Sequence, residues 1–225
     1  PFSALEVVVP HKLVVQRFDD YWGKKASIEY ASYLTGHRAE AKTLQARSGQ
    51  SDIAFGLDPA AVPSLKRLSH LSVIRSDLPR TLAIKLNAGH ELLDTVQERE
   101  ALSLAIDRTG IAKVILRYPD ASSSQLLPPY MKDWYIENTH TGQDLEKALS
   151  LLTEQGWKKN DEGWLEKGGK RFELEMRTYA DRPELTTVAT ALQDQWKNLG
   201  VKLTVNVANS SSIPAGHQDG SLETA

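Results

Sequence analysis

Cysteine is absent from all 225 residues, which excludes disulfides, thiolate metal sites and a cysteine nucleophile. No run approaches the roughly 18 consecutive apolar residues that a membrane-spanning helix requires. Glycine (14) and proline (10) are too scarce for a collagenous or low-complexity chain. Neither charge dominates: 27 Lys plus Arg face 29 Asp plus Glu, a formal net charge of −2, so nothing global attracts a polyanion and nucleic acid is not an expected partner. What is present is a globular composition, 40% hydrophobic and 25% charged, sufficient for a packed core. At about 150 residues per domain the length corresponds to one large domain or two small ones.

Catalytic constellations are equally scarce. Of the six histidines, His11, His37, His70, His90, His140 and His217, none lies three to five residues from another, so local metal-ligand spacing is missing. His90-Glu91-Leu92-Leu93-Asp94 lacks the second histidine one helical turn on that a zinc protease helix needs. Gly163 to Lys170 has the composition of a phosphate-binding loop without its spacing, and reads as a hairpin. No Gly-x-Ser-x-Gly elbow occurs, and Ser122-Ser123-Ser124 has no partnered base nearby. Asp19-Asp20 reads as a turn pair, not a metal site. No catalytic residue, metal ligand or cofactor is therefore expected. Among the aromatics, Trp157 follows a helix end and Trp196 lies on a helix stripe, so both are assigned to the core. Trp134, Tyr135 and Tyr179 sit in or beside loops and stay open as walls of a binding cleft.

Along the chain, Leu5–Val9 and Leu13–Phe18 read as strands joined by the turn Pro10-His11-Lys12, with Ile28–Leu34 a third. His37–Ser48 is a predicted helix stopped by Gly49, and Asp58-Pro59 opens another that runs to about Leu68. Ser51–Phe55, Leu71–Ile74 and Thr81–Leu86 are predicted strands. Thr95–Ile106 and a following helix from Asp107 through Leu116 precede a long ordered loop, Arg117–Thr141. Gln143–Gln155 is an amphipathic helix, Gly168-Gly169 turns a hairpin, and Phe172–Thr178, Pro183–Leu199 and Val201–Val207 form strand, helix and strand. Alternating strands and helices predict an α/β chain.

Several strings, in this order, resemble the family 5 extracellular solute-binding proteins, the receptors of ABC importers for oligopeptides, dipeptides and nickel. Arg17-Phe18-Asp19-Asp20-Tyr21-Trp22-Gly23 is similar to the family's Arg-Asn-x-x-Tyr-Trp-Gly, with Phe18 in place of the usual Asn. Leu44 to Ala54 matches a helix ending in Ser-Gly before an Asp-Ile strand. Leu86-Asn87, Arg99 to Arg108, Leu127-Pro128-Pro129, Asp144 to Ala148 with Gly156-Trp157, and Trp196 to Val201 complete the set. Each string alone is weak, but the ordered set covers nearly the whole chain.

The resemblance implies a periplasmic-binding-protein-like fragment, with mixed sheets flanked by helices. The chain is expected to be cut at both ends, with residues 1–87 part of a first lobe and 88–225 most of a second. The implied role is non-enzymatic: a periplasmic or extracellular receptor that captures a small solute, either a peptide or a metal complex, between two lobes and delivers it to an ABC permease in the membrane. An alternative is the solute-sensing domain of a transcriptional regulator of the same fold. Expected ligand-facing residues are Asn87, where strand Thr81–Leu86 meets the inter-lobe connection, and Arg80 at the other end of that strand. Gln125, Tyr130 and Tyr179 are expected on the second lobe's wall.

Overall fold

The β-branched residues near the amino terminus form Phe2–Val8 (β1) and Lys12–Arg17 (β2), which pair antiparallel, and Tyr30–Leu34 (β3) joins the other side of β2. A computed structural model describes residues 1–35, 38–76, 78, 80–129, 131–137 and 142–225. It divides them into two compact units, Pro1–Leu57 and Asp58–Ala225. In the first unit, α1 (Ala39–Ser48) ends where the sequence predicts, at Gly49 with φ 72°, a left-handed conformation that glycine adopts without steric cost.

The second unit opens with Asp58, whose carboxylate accepts the Ala60 N–H at 2.9 Å. A 3₁₀ turn then leads into α2 (Val62–Leu65). Helix α3 (Val96–Leu104) starts with a reciprocal cap: the Glu98 N–H donates to the Thr95 hydroxyl at 3.2 Å and the Thr95 N–H donates to the Glu98 carboxylate at 3.3 Å. Asp107 caps α4 (Arg108–Gly110), accepting from the Gly110 N–H at 2.8 Å, and the chain widens into a π-helical turn over Ile111–Ile115. The single helix expected through Leu116 is thus two different helical geometries. Helix α5 (Leu145–Glu154) is capped by Asp144.

Strands β4 (Lys158–Lys159), β5 (Leu165–Lys167) and β6 (Lys170–Arg171) form a small antiparallel sheet. Its tight turn is Gly168-Gly169, with φ 58° and 78°, the paired positive values of a type I′ hairpin. Then β7 (Glu173–Tyr179), α6 (Pro183–Leu199) and β8 (Lys202–Ala208) make a parallel β-α-β crossover, followed by α7 (Ser212–Asp219).

The core sits in this second unit. Strand β7 alternates and buries Leu174, Met176 and Thr178; α6 buries Ala189, Leu192, Trp196 and Leu199, its apolar stripe. Trp157 stacks on Phe172 with ring centroids 4.5 Å apart. The last carbonyls of α3, which a helix leaves unpaired, are met by tertiary donors. Leu102 O accepts the Trp196 indole N–H at 3.1 Å, Leu104 O the Asp144 N–H at 2.9 Å, and Ala105 O the Gln143 amide at 3.0 Å. Arg108 reaches Ser103 O at 2.9 Å and the Ser103 hydroxyl at 2.7 Å, and burial lowers its pKa from the usual guanidinium value. The assignment of Trp157 and Trp196 to the core holds for that reason: each indole has both a packed face and a hydrogen-bond acceptor.

Three expected strands do not form. Residues 51–55 and 71–74 carry no ladder, and Ile53, Phe55 and Ile74 are exposed. Of Thr81–Leu86 only the end pairs, through a bridge between Leu86 and Thr224. Alternation assigns side chains to faces, but a strand also needs a backbone partner, and among the described residues these segments find none beyond that bridge.

Candidate functional site

The end of the Thr81–Leu86 segment meets the carboxy-terminal residues. Lys85 and Ala225 exchange two backbone hydrogen bonds, at 2.8 and 3.1 Å, and the Asn87 N–H donates to Glu223 O at 2.9 Å. On its other side Thr224 bridges to Met176 of β7, and the Arg177 N–H donates to Thr224 O at 3.0 Å. A three-residue strip, Glu223–Ala225, is therefore inserted between Lys85–Asn87 and the parallel pair β7–β8.

Side chains lock this junction. The Glu223 carboxylate accepts the Glu175 N–H at 2.6 Å and faces His90 Nε2 at 3.6 Å. His90 Nδ1 accepts the Leu92 N–H at 3.3 Å, which assigns the ring proton to Nε2, toward the carboxylate. Lys85 Nζ donates to His217 Nε2 at 3.2 Å. Gly216 of α7 lies so close to Leu222 that a Cβ there would come within 2.6 Å of its Cγ; no other residue type lets α7 approach the strip at this distance. Asp219 is held below the usual carboxylate range, first by the Ser221 hydroxyl and then by the Ser221 N–H, which it accepts at 2.9 Å.

A cavity of about 240 Å³ lies at this junction, lined by Lys85, Asn87, His217, Gly220, Glu223 and Thr224 among others. The Thr224 hydroxyl is buried and has no hydrogen-bond partner among the described residues. A wider groove of about 410 Å³ runs beside α6, but the Thr186, Thr187 and Thr190 hydroxyls along it donate to carbonyls of their own helix.

Of the residues expected to face a ligand, Asn87 alone lines the junction cavity. Its Oδ1 accepts the Gly89 N–H at 3.0 Å and its Nδ2 donates to Gly220 O at 3.3 Å, so the amide closes its own turn and ties it to the end of α7. Arg80 is exposed. Gln125 is half-buried, and its amide clasps the Ile136 backbone, accepting at 3.1 Å and donating at 2.5 Å. That clasp closes a loop already held by the Thr81 hydroxyl on Leu126 O at 2.5 Å. Upstream, the Arg75 guanidinium sits 3.5 Å from the Tyr118 ring centroid. Tyr179 ends β7, half-buried and in register with Ala208. Tyr130 lies outside the described residues. No hydrogen bond joins Asn87, Arg80, Gln125 and Tyr179 among the described residues.

Sequence reasoning missed Lys85, His217, Glu223 and Thr224. Lys85 is two residues from Asn87, but His217, Glu223 and Thr224 are brought to it across 130 residues of chain or more, and no local pattern carries that pairing. In the sequence His90-Glu91 resembles only an incomplete metal motif; in the structure His90 faces Glu223, and Glu91 pairs with Lys170 at 2.7 Å, a hydrogen bond that holds the Glu91 carboxyl below its usual pKa. Among the described residues no three His, Asp or Glu side chains gather as a metal site would require.

Comparison with known proteins supplies the wider frame. The sequence model for bacterial extracellular solute-binding proteins, family 5 (Middle), matches residues 1–224. The oligopeptide-binding protein AppA of Bacillus subtilis (strain 168) is 25% identical over 219 residues, covering 95% of this chain and 40% of that protein. The nickel-binding protein NikA of Staphylococcus aureus (strain NCTC 8325 / PS 47) is 24% identical over 208 residues, covering 91% of this chain and 40% of that protein. Among solved structures, NikA from Brucella suis in complex with Fe(III)-EDTA superimposes with a TM-score of 0.82 at 20% identity, over 100% of this chain and 46% of that one; the likeness is one of fold. The chain spans about 40% of the length of these curated relatives.

Proposed function

The chain belongs to family 5 of the bacterial extracellular solute-binding proteins, and from that premise we propose that it is the middle portion of an ABC-importer receptor. In this reading the intact, non-enzymatic protein works outside the cytoplasmic membrane. It closes two lobes around a peptide or a nickel complex and hands it to the permease. The observation that carries the proposal is the family match across residues 1–224; relatives named for oligopeptide and nickel binding supply the two solute classes. No helix among the described residues is long and apolar enough to cross a membrane.

Residues up to about Asn87 belong, in this proposal, to the first lobe, and those from about Ala88 to the second. The junction at Lys85–Asn87 and Glu223–Ala225 is then the place where chain passes between them. Two adjacent antiparallel segments, locked by Glu223 and Asn87, suit a hinge: paired backbones constrain the direction of bending while the flanking turns absorb the change in φ and ψ.

Titration calorimetry of the intact protein tests the reading, using a mixed tri- to nonapeptide pool and Ni(II) with excess histidine as probes. Saturable binding of one probe is expected; heat from neither, in a protein shown to be folded, overturns the assignment. The 225-residue chain by itself should bind the same probe at least tenfold more weakly, because contacts from the rest of the first lobe and the free energy of closure are both lost. Equal affinity would show those contacts to be dispensable.

Asn87→Ala in the intact protein should weaken binding by about 1 kcal/mol, roughly fivefold, if the amide reaches the solute on closure. Unchanged affinity together with a lower melting temperature would leave Asn87 the turn-closing role already visible in its bonds to Gly89 and Gly220.

A further inference from the structure

Among the described residues Arg117 is the one non-glycine residue with a positive φ, 54°. In that left-handed region glycine fits without steric cost, whereas a Cβ crowds the following carbonyl. The wide turn before it imposes the conformation: the Leu116 N–H donates to Ile111 O at 3.1 Å and the Tyr118 N–H reaches back to Ala112 O at 2.9 Å, which reverses the chain at residue 117. Glycine would form this reversal more readily than arginine, so the turn does not account for the residue. Its side chain does not serve the fold either. It is exposed and has neither a hydrogen bond nor an ion pair among the described residues. A second guanidinium stands at the same turn. Arg75 lies over the ring of Tyr118, the next residue, 3.5 Å from its centroid. Stacking occupies one face of the guanidinium and leaves its in-plane N–H donors open, and Arg75 is likewise without a hydrogen bond or ion pair among the described residues.

With the lobe boundary near Asn87, Arg75 belongs to the first lobe and Arg117-Tyr118 to the second, so the stacking contact spans the cleft, as does the Thr81 hydroxyl bond to Leu126 O. We infer that Arg75 and Arg117 form a carboxylate-binding pair at that cleft, one cation from each lobe. Two cations gathered at one turn with no carboxylate between them repel each other; a bound carboxylate removes that repulsion and accepts charge-assisted hydrogen bonds from both, for which the planar donor fork of arginine is shaped. Because the donors come from different lobes, the anion also favours the closed state over the open one. The inference rests on the receptor role proposed for the intact protein and adds the chemistry of its solute: an organic anion, whether the carboxylate ends a peptide or belongs to the chelator of a metal complex.

Titration calorimetry of the intact protein tests it with paired probes: the peptide pool with free and with amidated carboxy termini, and Ni(II) with excess histidine and with excess histidinamide. Whichever free acid binds should bind at least tenfold more tightly than its amide, and the pair that shows the difference tells a peptide carboxylate from a chelator's. Arg117→Gly, which suits φ 54°, should melt no lower than the parent, yet weaken the free acid at least tenfold and the amide less than twofold. Arg75→Gln should do the same, and Arg117→Lys should restore part of the loss. Equal affinity for acid and amide overturns the inference, as does unchanged affinity of Arg117→Gly for the acid. A lower melting temperature for Arg117→Gly with acid and amide weakened alike overturns it too, and assigns the arginine to the fold. Heat from no probe in the folded parent is a different failure: it removes the receptor role, and the carboxylate pair with it.

Discussion

Trp196→Ala is expected to lower the unfolding free energy by about 4–8 kcal/mol, a large part of the 5–15 kcal/mol typical of a domain. The side chain is 1% exposed and packed between α6 and α3, and truncating a buried tryptophan costs about 3–5 kcal/mol through lost transfer energy and the cavity left behind. A second cost is separate. The indole N–H is the donor to Leu102 O, in the last turn of α3 where the helix supplies no partner; leaving a buried carbonyl unpaired adds about 1–3 kcal/mol. Urea denaturation followed by far-ultraviolet circular dichroism reads the difference as a shift in midpoint at constant slope. Trp196→Phe keeps most of the volume and should cost about 2 kcal/mol, mainly from the lost bond and a smaller cavity. A loss below about 1 kcal/mol for the alanine variant would mean that α6 repacks onto α3 without it.

What the sequence reveals about this fold follows the range of each interaction. Caps and turns are decided by residues within four positions of each other, and Asp58, Asp107, Gly49 and Gly168-Gly169 stand where the sequence places them, whereas Asp144, expected inside a helix from Gln143, is its N-cap. Helix α6 has the expected bounds because its apolar stripe at 189, 192, 196 and 199 repeats at helical spacing. One local signal passed unread: Thr95-Val96-Gln97-Glu98 has the spacing of a capping box, and Glu98 proves central to the core.

Strands are decided at longer range. Alternation in Thr81–Leu86 is real, but whether it becomes a strand depends on Glu223–Ala225, some 140 residues on, which reaches only its last residues. The candidate site fails to show in the sequence for the same reason. Lys85, Asn87, His217 and Glu223 form no motif; they become neighbours because β7 accepts a third backbone and Gly216 lets α7 lie against Leu222. Asn87 was identified by resemblance and by its place at a segment end, whereas its bonds to Gly89 and Gly220 depend on a turn geometry that residue types alone do not fix.

Glu98→Ala should cost about 3 kcal/mol, and the effect should be shared with Trp157. The carboxylate is 1% exposed and accepts three hydrogen bonds: the Thr95 N–H, the Thr95 hydroxyl at 2.9 Å and the Trp157 indole N–H at 2.9 Å, with Lys167 Nζ 4.0 Å away. Removing it abolishes the reciprocal cap, worth about 1 kcal/mol, and leaves a buried indole donor unpaired at about 1–3 kcal/mol. Glu98→Gln retains one acceptor oxygen but turns an amide N–H₂ toward a donor, so an intermediate loss is expected. A double-mutant cycle with Trp157→Phe isolates the carboxylate–indole bond: coupling of about 1.5–3 kcal/mol is expected for a buried bond to a charged group, and coupling near zero would reduce Glu98 to a helix cap. Strong coupling would also assign a structural role to the Gly156-Trp157 pair. That tryptophan, stacked on Phe172 and bonded to the first turn of α3, joins the end of α5 to α3 and the following strand and so holds the second unit together.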